Sequence, residues 1–422
     1  MAPLATRDHA RQRGAVSWCF TNSALLQQQK LMKIHIDKLV NQLKIMASKG
    51  QPADMSNWCK STYLVKPRLR RWNYIEKRSW NSRVSDTYTT FDLMGDLTFG
   101  KPFGCLDQGS ASDWSMAIIN VFISGAWEQA IRRIAGVDTW LQKKLTKLLV
   151  PKEAAKWRLL HFSKSKETTL ARLKDGAMRD HPDVIHQILK NKESRNNLTD
   201  TEILLNMVLF ISAGSETTAG TLAAWTYFCS THPEIWQRLV QEVRECGLFK
   251  SEDDIIWENL GPEKLPFLDA TINEALRLFS PAAASQQRIV PPGGATIDGH
   301  YIPEGVCVAT PPYGCTRLAS NFKDPNDFHP ERWMSDPNYA DDKLDASQPF
   351  SVGPRACIAK NLAYFELRLI LTRVIWNFDM ELDQGQLGME SKKLWGMDMK
   401  HIKGYLTWIK PPLWVNFKMV DH

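Results

Sequence analysis

The stretch Phe350-Ser-Val-Gly-Pro-Arg-Ala-Cys357-Ile-Ala359 decides how the rest of the chain is read. It offers one cysteine on a loop stiffened by Gly353 and Pro354, with Arg355 two residues before the thiol. Directly after it, Ile358, Leu362, Phe365 and Leu369 recur at spacings of four, three and four, which predicts a helix. A cysteine at a helix start faces orphan N–H donors and the positive end of the dipole, so a thiol held deprotonated is expected. One thiolate cannot build a structural zinc or iron–sulfur site, which takes about four ligands.

A single thiolate can ligate a haem iron, where it pushes electron density towards O–O cleavage. The decapeptide resembles the haem-ligand signature Phe-x-x-Gly-x-Arg-x-Cys-x-Gly of the cytochrome P450 family, with Ala359 where glycine is usual. Ala213-Gly-Ser-Glu216-Thr217-Thr218 resembles that family's oxygen-activation motif. Glu274-Ala-Leu-Arg277 resembles its Glu-x-x-Arg pair, and Pro330-Glu-Arg332-Trp its arginine-bearing partner. Order and spacing agree from about residue 5 onward, and two longer phrases, 290–305 and 349–379, look like fungal members that tailor secondary metabolites. The resemblance implies a mainly α fold with a small β portion, one domain over residues 1–422. Fungal relatives start with a membrane anchor and further helices, so N-terminal truncation is expected. Full-length relatives sit on the cytosolic face of the endoplasmic reticulum.

Composition sets outer limits. With 422 residues and 43% hydrophobic content, the chain can bury a large core. Its net charge of +7 is moderate and spread along the sequence, which argues against a nucleic-acid tract. Cys19, Cys59, Cys105, Cys229, Cys246, Cys307, Cys315 and Cys357 show no Cys-x-x-Cys pairing, as expected of a reducing compartment. Asn197-Leu-Thr199 matches a glycosylation acceptor that would stay unmodified there. Residues 1–30 are polar and basic, with no visible transmembrane anchor. The apolar run Ile203–Ala213 is too short to span a bilayer and is expected in the core.

Residues 9–47 read as helices, with His9 and Arg13 four apart on one face. Lys60–Asp86 holds eight Lys/Arg against two Asp/Glu and no clear period, and is expected to be an insertion. Leu141–Arg172 reads as helical and cationic, suited either to a solvated face or to a lipid interface. Further helices are expected over Glu202–Ser230 and Leu268–Phe279, and from Cys357 to about Asn377. Turn signals at Pro291–Gly294 and Asp298-Gly299 break 287–308 into short strands, and the C-terminal tail reads the same way.

The resemblance also carries roles. Cys357 becomes the axial ligand, on the loop opened by Phe350. Two buried propionates need cations, and Arg355, Arg288, His9 and Arg13 are the candidates. Glu274 and Arg277 are three apart on one helix face and would jointly engage Arg332, as a structural triad. Breaking O–O requires protons at the distal oxygen, and Glu216 with Thr217 would relay them through waters at a helix irregularity. A Thr217 hydroxyl bonded back to the carbonyl four residues earlier is the plainer alternative. Ala213-Gly214 would let oxygen approach the backbone. The implied activity is insertion of one oxygen atom from O2 into an apolar small molecule. No dinucleotide or flavin motif is present, so electrons would come from NADPH-cytochrome P450 reductase. Rival readings are a haem-thiolate isomerase or dehydratase, which needs no proton relay, and a degenerate chain without activity.

Overall fold

The computed structural model describes residues 6–58, 89–108, 112–176, 181–191, 198–282, 284, 286–396 and 402–422. The expected insertion at 60–86 lies outside the described residues, as does Asn197. The helices that matter to the site are α1 (Thr6–Ser17), α2 (Asn22–Ser48), α3 (Thr89–Phe99), α4 (Asp113–Ala135), α5 (Trp140–Leu149), α6 (Lys152–Asp175), α7 (Asp200–Thr231), α8 (Pro233–Val240), α9 (Pro266–Leu278), α10 (Lys360–Asn377) and α11 (Gln386–Trp395).

α7 is the axis of the molecule. It starts at a capping box, in which the Thr199 hydroxyl accepts from Glu202 N–H and the Glu202 carboxylate accepts from Thr199 N–H. It packs against α3, α6, α9 and α10, so nearly every face from Ala219 to Cys229 is buried. Fully burying side chains such as Ile203, Ile211 and Leu222 stabilises by about 1.5–3 kcal/mol each. Its most apolar window meets the length and composition of a membrane span, yet 61% of that window is buried inside the protein, which suits a core helix. Trp225, fully buried, donates its indole N–H to Thr271 Oγ1 of α9 at 2.8 Å, so its polar end is not stranded.

The cationic helical stretch expected over 141–172 is two helices, α5 and α6, broken at Val150-Pro151 because a residue before proline disfavours the helical region. α4 and α6 lie along each other, and α6 is tied to α7 through His161. Trp114 Nε1 of α4 donates to His161 Nδ1 at 3.0 Å, leaving His161 Nε2 to donate to the Val208 carbonyl at 3.0 Å. Burial lowers the His161 pKa, in keeping with that neutral, one-donor ring.

The β portion is small. β1 (Ala53–Asp54), β9 (Trp414–Met419) and β6 (Phe378–Leu382) form an antiparallel sheet in that order, with Val415 opposite both Ala53 and Leu382. The predicted strands near 287–308 form two hairpin-like pairs, β2 (Gln286–Ile289) with β5 (Cys307–Thr310) and β3 (Ala295–Ile297) with β4 (His300–Ile302). β7 (Lys403–Gly404) and β8 (Trp408–Ile409) make a short C-terminal hairpin. None of the described cysteines is in a disulfide.

Candidate active site

The Cys357 loop is closed on itself before α10 begins. Cys357 N–H donates to the Phe350 carbonyl at 2.8 Å, and Ala356 N–H to Gly353 at 2.9 Å. The bend between these bonds needs left-handed backbone at Ser351 (φ 57°) and Gly353 (φ 74°), where only the second costs nothing. The Phe350 ring packs on Tyr364 of α10 at 5.3 Å, which seats the loop on the helix it precedes. Ala359, at φ −97°, is the residue before α10, an ordinary backbone conformation that an L side chain adopts without strain.

Cys357 is solvent-accessible at the bottom of this loop. Burial of its surroundings nevertheless pushes the thiol up, while the Ala359 N–H, Arg13 and Lys360 pull it down without reversing the shift. The N–H at the helix start and the nearby cations favour the thiolate, and burial opposes it. Desolvation outweighs the dipole and the two cations, and a metal cation at the sulfur is what would tip the balance.

Two guanidinium groups and an imidazole gather at the same loop. Arg13 Nη1 of α1 donates to the Ala356 carbonyl at 2.7 Å. His9, one turn earlier, has its pKa lowered by burial first, then by Arg355 and Arg13. Like charges held this close favour a dianionic occupant. Arg288 stands on β2, exposed, with Nη1 donating to the Gln287 carbonyl at 2.9 Å.

The Glu274 triad forms as expected, and it is wholly enclosed. Glu274 accepts from Arg277 Nε and Nη2 at 2.8 and 2.7 Å and from Arg332 Nε at 3.0 Å, all three side chains being 0% exposed. His329 N–H and Trp333 Nε1 complete its donors. Arg277 also donates to the carbonyls of Thr316, Pro325 and Asp327, and Arg332 to that of Lys323 and to Asp342. The triad thus pins residues 316–342, the segment leading into the Cys357 loop.

On α7 the two mechanistic candidates have partners. Glu216 Oε1 lies 2.5 Å from Lys410 Nζ, with side chains 4% and 1% exposed. Thr217 Oγ1 donates back to the Ala213 carbonyl at 2.6 Å, which is the plainer of the two sequence readings. The helix runs unbroken from Asp200 to Thr231, so the expected irregularity is not there; the hydroxyls of Ser212, Ser215, Thr217 and Thr221 instead bond back to carbonyls three or four residues earlier. Gly214 has a reason that the sequence did not show: a Cβ there would meet Met94 Sδ at 2.5 Å, so its small size admits α3. Thr90 of α3 donates to the Ser215 carbonyl at 3.0 Å in the same contact.

Two residues escaped the sequence reading. Lys410 lies 194 positions from its partner, and no local pattern marks it. Glu366, in the helix after the cysteine, is 1% exposed and faces Thr218 of α7. Burial pushes its carboxyl up to about 8, with the Thr218 hydroxyl pulling the other way, and its Oε1 has no partner among the described residues. Its position i+8 from Ile358 on the apolar face was the available signal.

Comparison with known proteins agrees with this geometry. The family profile described as Cytochrome P450 matches residues 79–408. The chain is 54% identical over 415 residues to cytochrome P450 monooxygenase aba2 of Botryotinia fuckeliana, covering 98% of this chain and 72% of that one. It is 54% identical over 428 residues to cytochrome P450 monooxygenase abl2 of Leptosphaeria maculans, covering 100% and 71%. Averantin hydroxylase of Dothistroma septosporum is 33% identical over 414 residues, covering 97% and 69%.

Proposed function

This chain belongs to the cytochrome P450 family of haem-thiolate monooxygenases, and from that premise we propose that it inserts one oxygen atom of O2 into an apolar intermediate of fungal secondary metabolism. The observation that carries this reading is the accessible Cys357 thiol ringed by His9, Arg13 and Arg355. The donor set suits a haem: one sulfur for the iron, and cations for two propionates. In this proposal Cys357 Sγ would hold the iron, Phe350 seats its loop, and Arg355, His9 and Arg13 would hold the propionates. Arg288 is a further propionate candidate, which would have to turn from the Gln287 carbonyl to reach one.

Bound haem supplies the activation of dioxygen, with electrons passed from NADPH by a separate flavoprotein reductase. The chain's own part is to hold and hand on protons. Thr217 gives its hydroxyl proton to the Ala213 carbonyl, which leaves the oxygen's lone pairs open to accept from a neighbouring donor. Glu216 holds the acid function behind it. This pairing of acid and hydroxyl favours monooxygenation over an isomerase or dehydratase.

α5 supports a peripheral membrane contact on the cytosolic side as part of the same proposal. None of its residues is buried, and Trp140 and Leu148 are 72% and 73% exposed beside Lys143, Lys144 and Lys147. Flotation with anionic vesicles, lost on Trp140→Ser with Leu148→Ser, checks it; flotation unchanged by that pair removes it.

Replacement of the thiol tests the central claim. Cys357→Ser should abolish the thiolate-type Soret band of the reduced carbonyl complex. A variant that keeps the band ends the assignment of Cys357, and wild-type protein without it ends the monooxygenase reading.

A further inference from the structure

The Lys410 ammonium is built into its position opposite Glu216 from three sides. Trp408, two residues earlier on β8, donates Nε1 to the Ser280 carbonyl at 2.7 Å and packs on Phe279 and Tyr313 at 5.5 and 5.9 Å. The turn between β7 and β8 rests on α4, where Leu406 Cδ1 is 3.0 Å from the place of a Cβ on Gly125. Gly220, one turn after Glu216, leaves a lane across α7. A Cβ there would sit 3.6 Å from Lys410 Nζ and 3.7 Å from Pro281, so any longer side chain would occupy the ammonium's path. The hairpin is therefore braced at both ends and delivers a cation to one carboxylate.

A carboxylate and an ammonium taken out of water hold each other, and loss of either strands the other as a buried charge. An isolated buried carboxylate neutralises by taking a proton. While Oε1 is seated on Nζ, the Glu216 side chain is tied to one partner and one orientation. Handing on a proton then requires the carboxylate to take one up and leave the ammonium, so the strength and placing of this contact govern the transfer.

We propose that Lys410 is a positioning residue for proton delivery, holding Glu216 ionised and oriented on α7 so that it collects and releases protons one at a time. This rests on the reading that Glu216 belongs to the proton path. Without the ammonium, Glu216 keeps its proton and the reaction loses its controlled supply. Electrons from NADPH then leave as hydrogen peroxide in place of product. A purely structural role for the pair would change stability and leave both the protonation of Glu216 and the product-to-peroxide ratio where they were.

The experiment uses the haem-loaded full chain with Lys410→Met and Lys410→Arg, and Lys410→Met combined with Glu216→Gln. Infrared spectroscopy at pH 7 reads the protonated-carboxyl band. Glu366 contributes to that band in every variant and is subtracted by difference. Lys410→Met should add a carboxyl band that disappears when Glu216→Gln is combined with it. In the same variant, product formed per NADPH should fall by about tenfold or more, with peroxide rising to match. Lys410→Arg, which keeps the cation, should show no new band and restore most of the coupling. If Lys410→Met does not fold, Lys410→Gln keeps a donor without the charge and carries the same readouts. No new band, or unchanged coupling with an intact thiolate Soret band, overturns the proposal. Loss of that Soret band from the wild type would instead strike at the haem-thiolate reading beneath it.

Discussion

Two buried carboxylates on neighbouring core helices, Glu274 on α9 and Glu216 on α7, are held in opposite ways. Glu274 receives five donors from four residues, every ion-pair partner fully enclosed. Among the described residues Glu216 meets one partner, an ammonium on a four-carbon stem that reaches in from the far end of the chain. A carboxylate with five fixed donors has no second orientation to visit. One with a single flexible partner can leave it at the cost of one contact. Saturation makes the first an anchor, and its lack leaves the second free to act.

Removing Glu274 is the most severe way to probe the contrast. Glu274→Ala strands Arg277 and Arg332 in the core and should cost about 3–5 kcal/mol, read by urea unfolding and by haem retention. A loss below about 1 kcal/mol would show that the arginines find other partners, and the anchor would be misidentified.

Glu366 sharpens the comparison from a third position, since it is buried facing the Thr218 hydroxyl and no cation among the described residues. Its folded carboxyl, pushed up to about 8 from an ordinary 4.5, keeps a proton that the unfolded chain has lost between those values. Its contribution to stability is thus fully present below about 4.5 and is lost as pH rises through about 8. Glu366→Gln is neutral throughout and should flatten that fall, by a few kcal/mol at most. Urea unfolding across the interval measures it, and an unchanged slope would mean that Glu366 is ionised in the fold.

The smallest effect on stability is expected at Thr217. Thr217→Ala removes one back-bond within an intact helix and should change unfolding free energy by less than about 1 kcal/mol. It should still divert NADPH electrons into peroxide. Normal coupling in this variant would leave Thr217 with the back-bond as its whole role.

What the sequence disclosed follows from the range of the interactions. The Cys357 loop, the Glu274–Arg277 spacing and the limits of α7 depend on neighbours within a few residues, and each stands where its pattern predicts. The break at Pro151 was equally local, and a uniform run of lysines concealed it. Lys410 was illegible because its meaning lies in a partner 194 residues away. The size of Gly214 was legible but its reason was not, since Met94 sits on a helix that only the fold brings near. The Cys357 thiol is a different case: a dipole can be read from a pattern, whereas desolvation depends on everything around the sulfur.

The bond from Arg13 to the Ala356 carbonyl joins positions 343 apart. A loop of that span closes late, because its chain entropy must be overcome before the contact contributes anything. At a synthesis rate of about 5–20 residues per second, α1 waits at least tens of seconds for the segment it must clasp. In the later part of that interval the apolar face of α7 has been made while its partner α10 has not. The nascent protein therefore passes through a stage in which that face is exposed and the Cys357 loop has yet to meet α1.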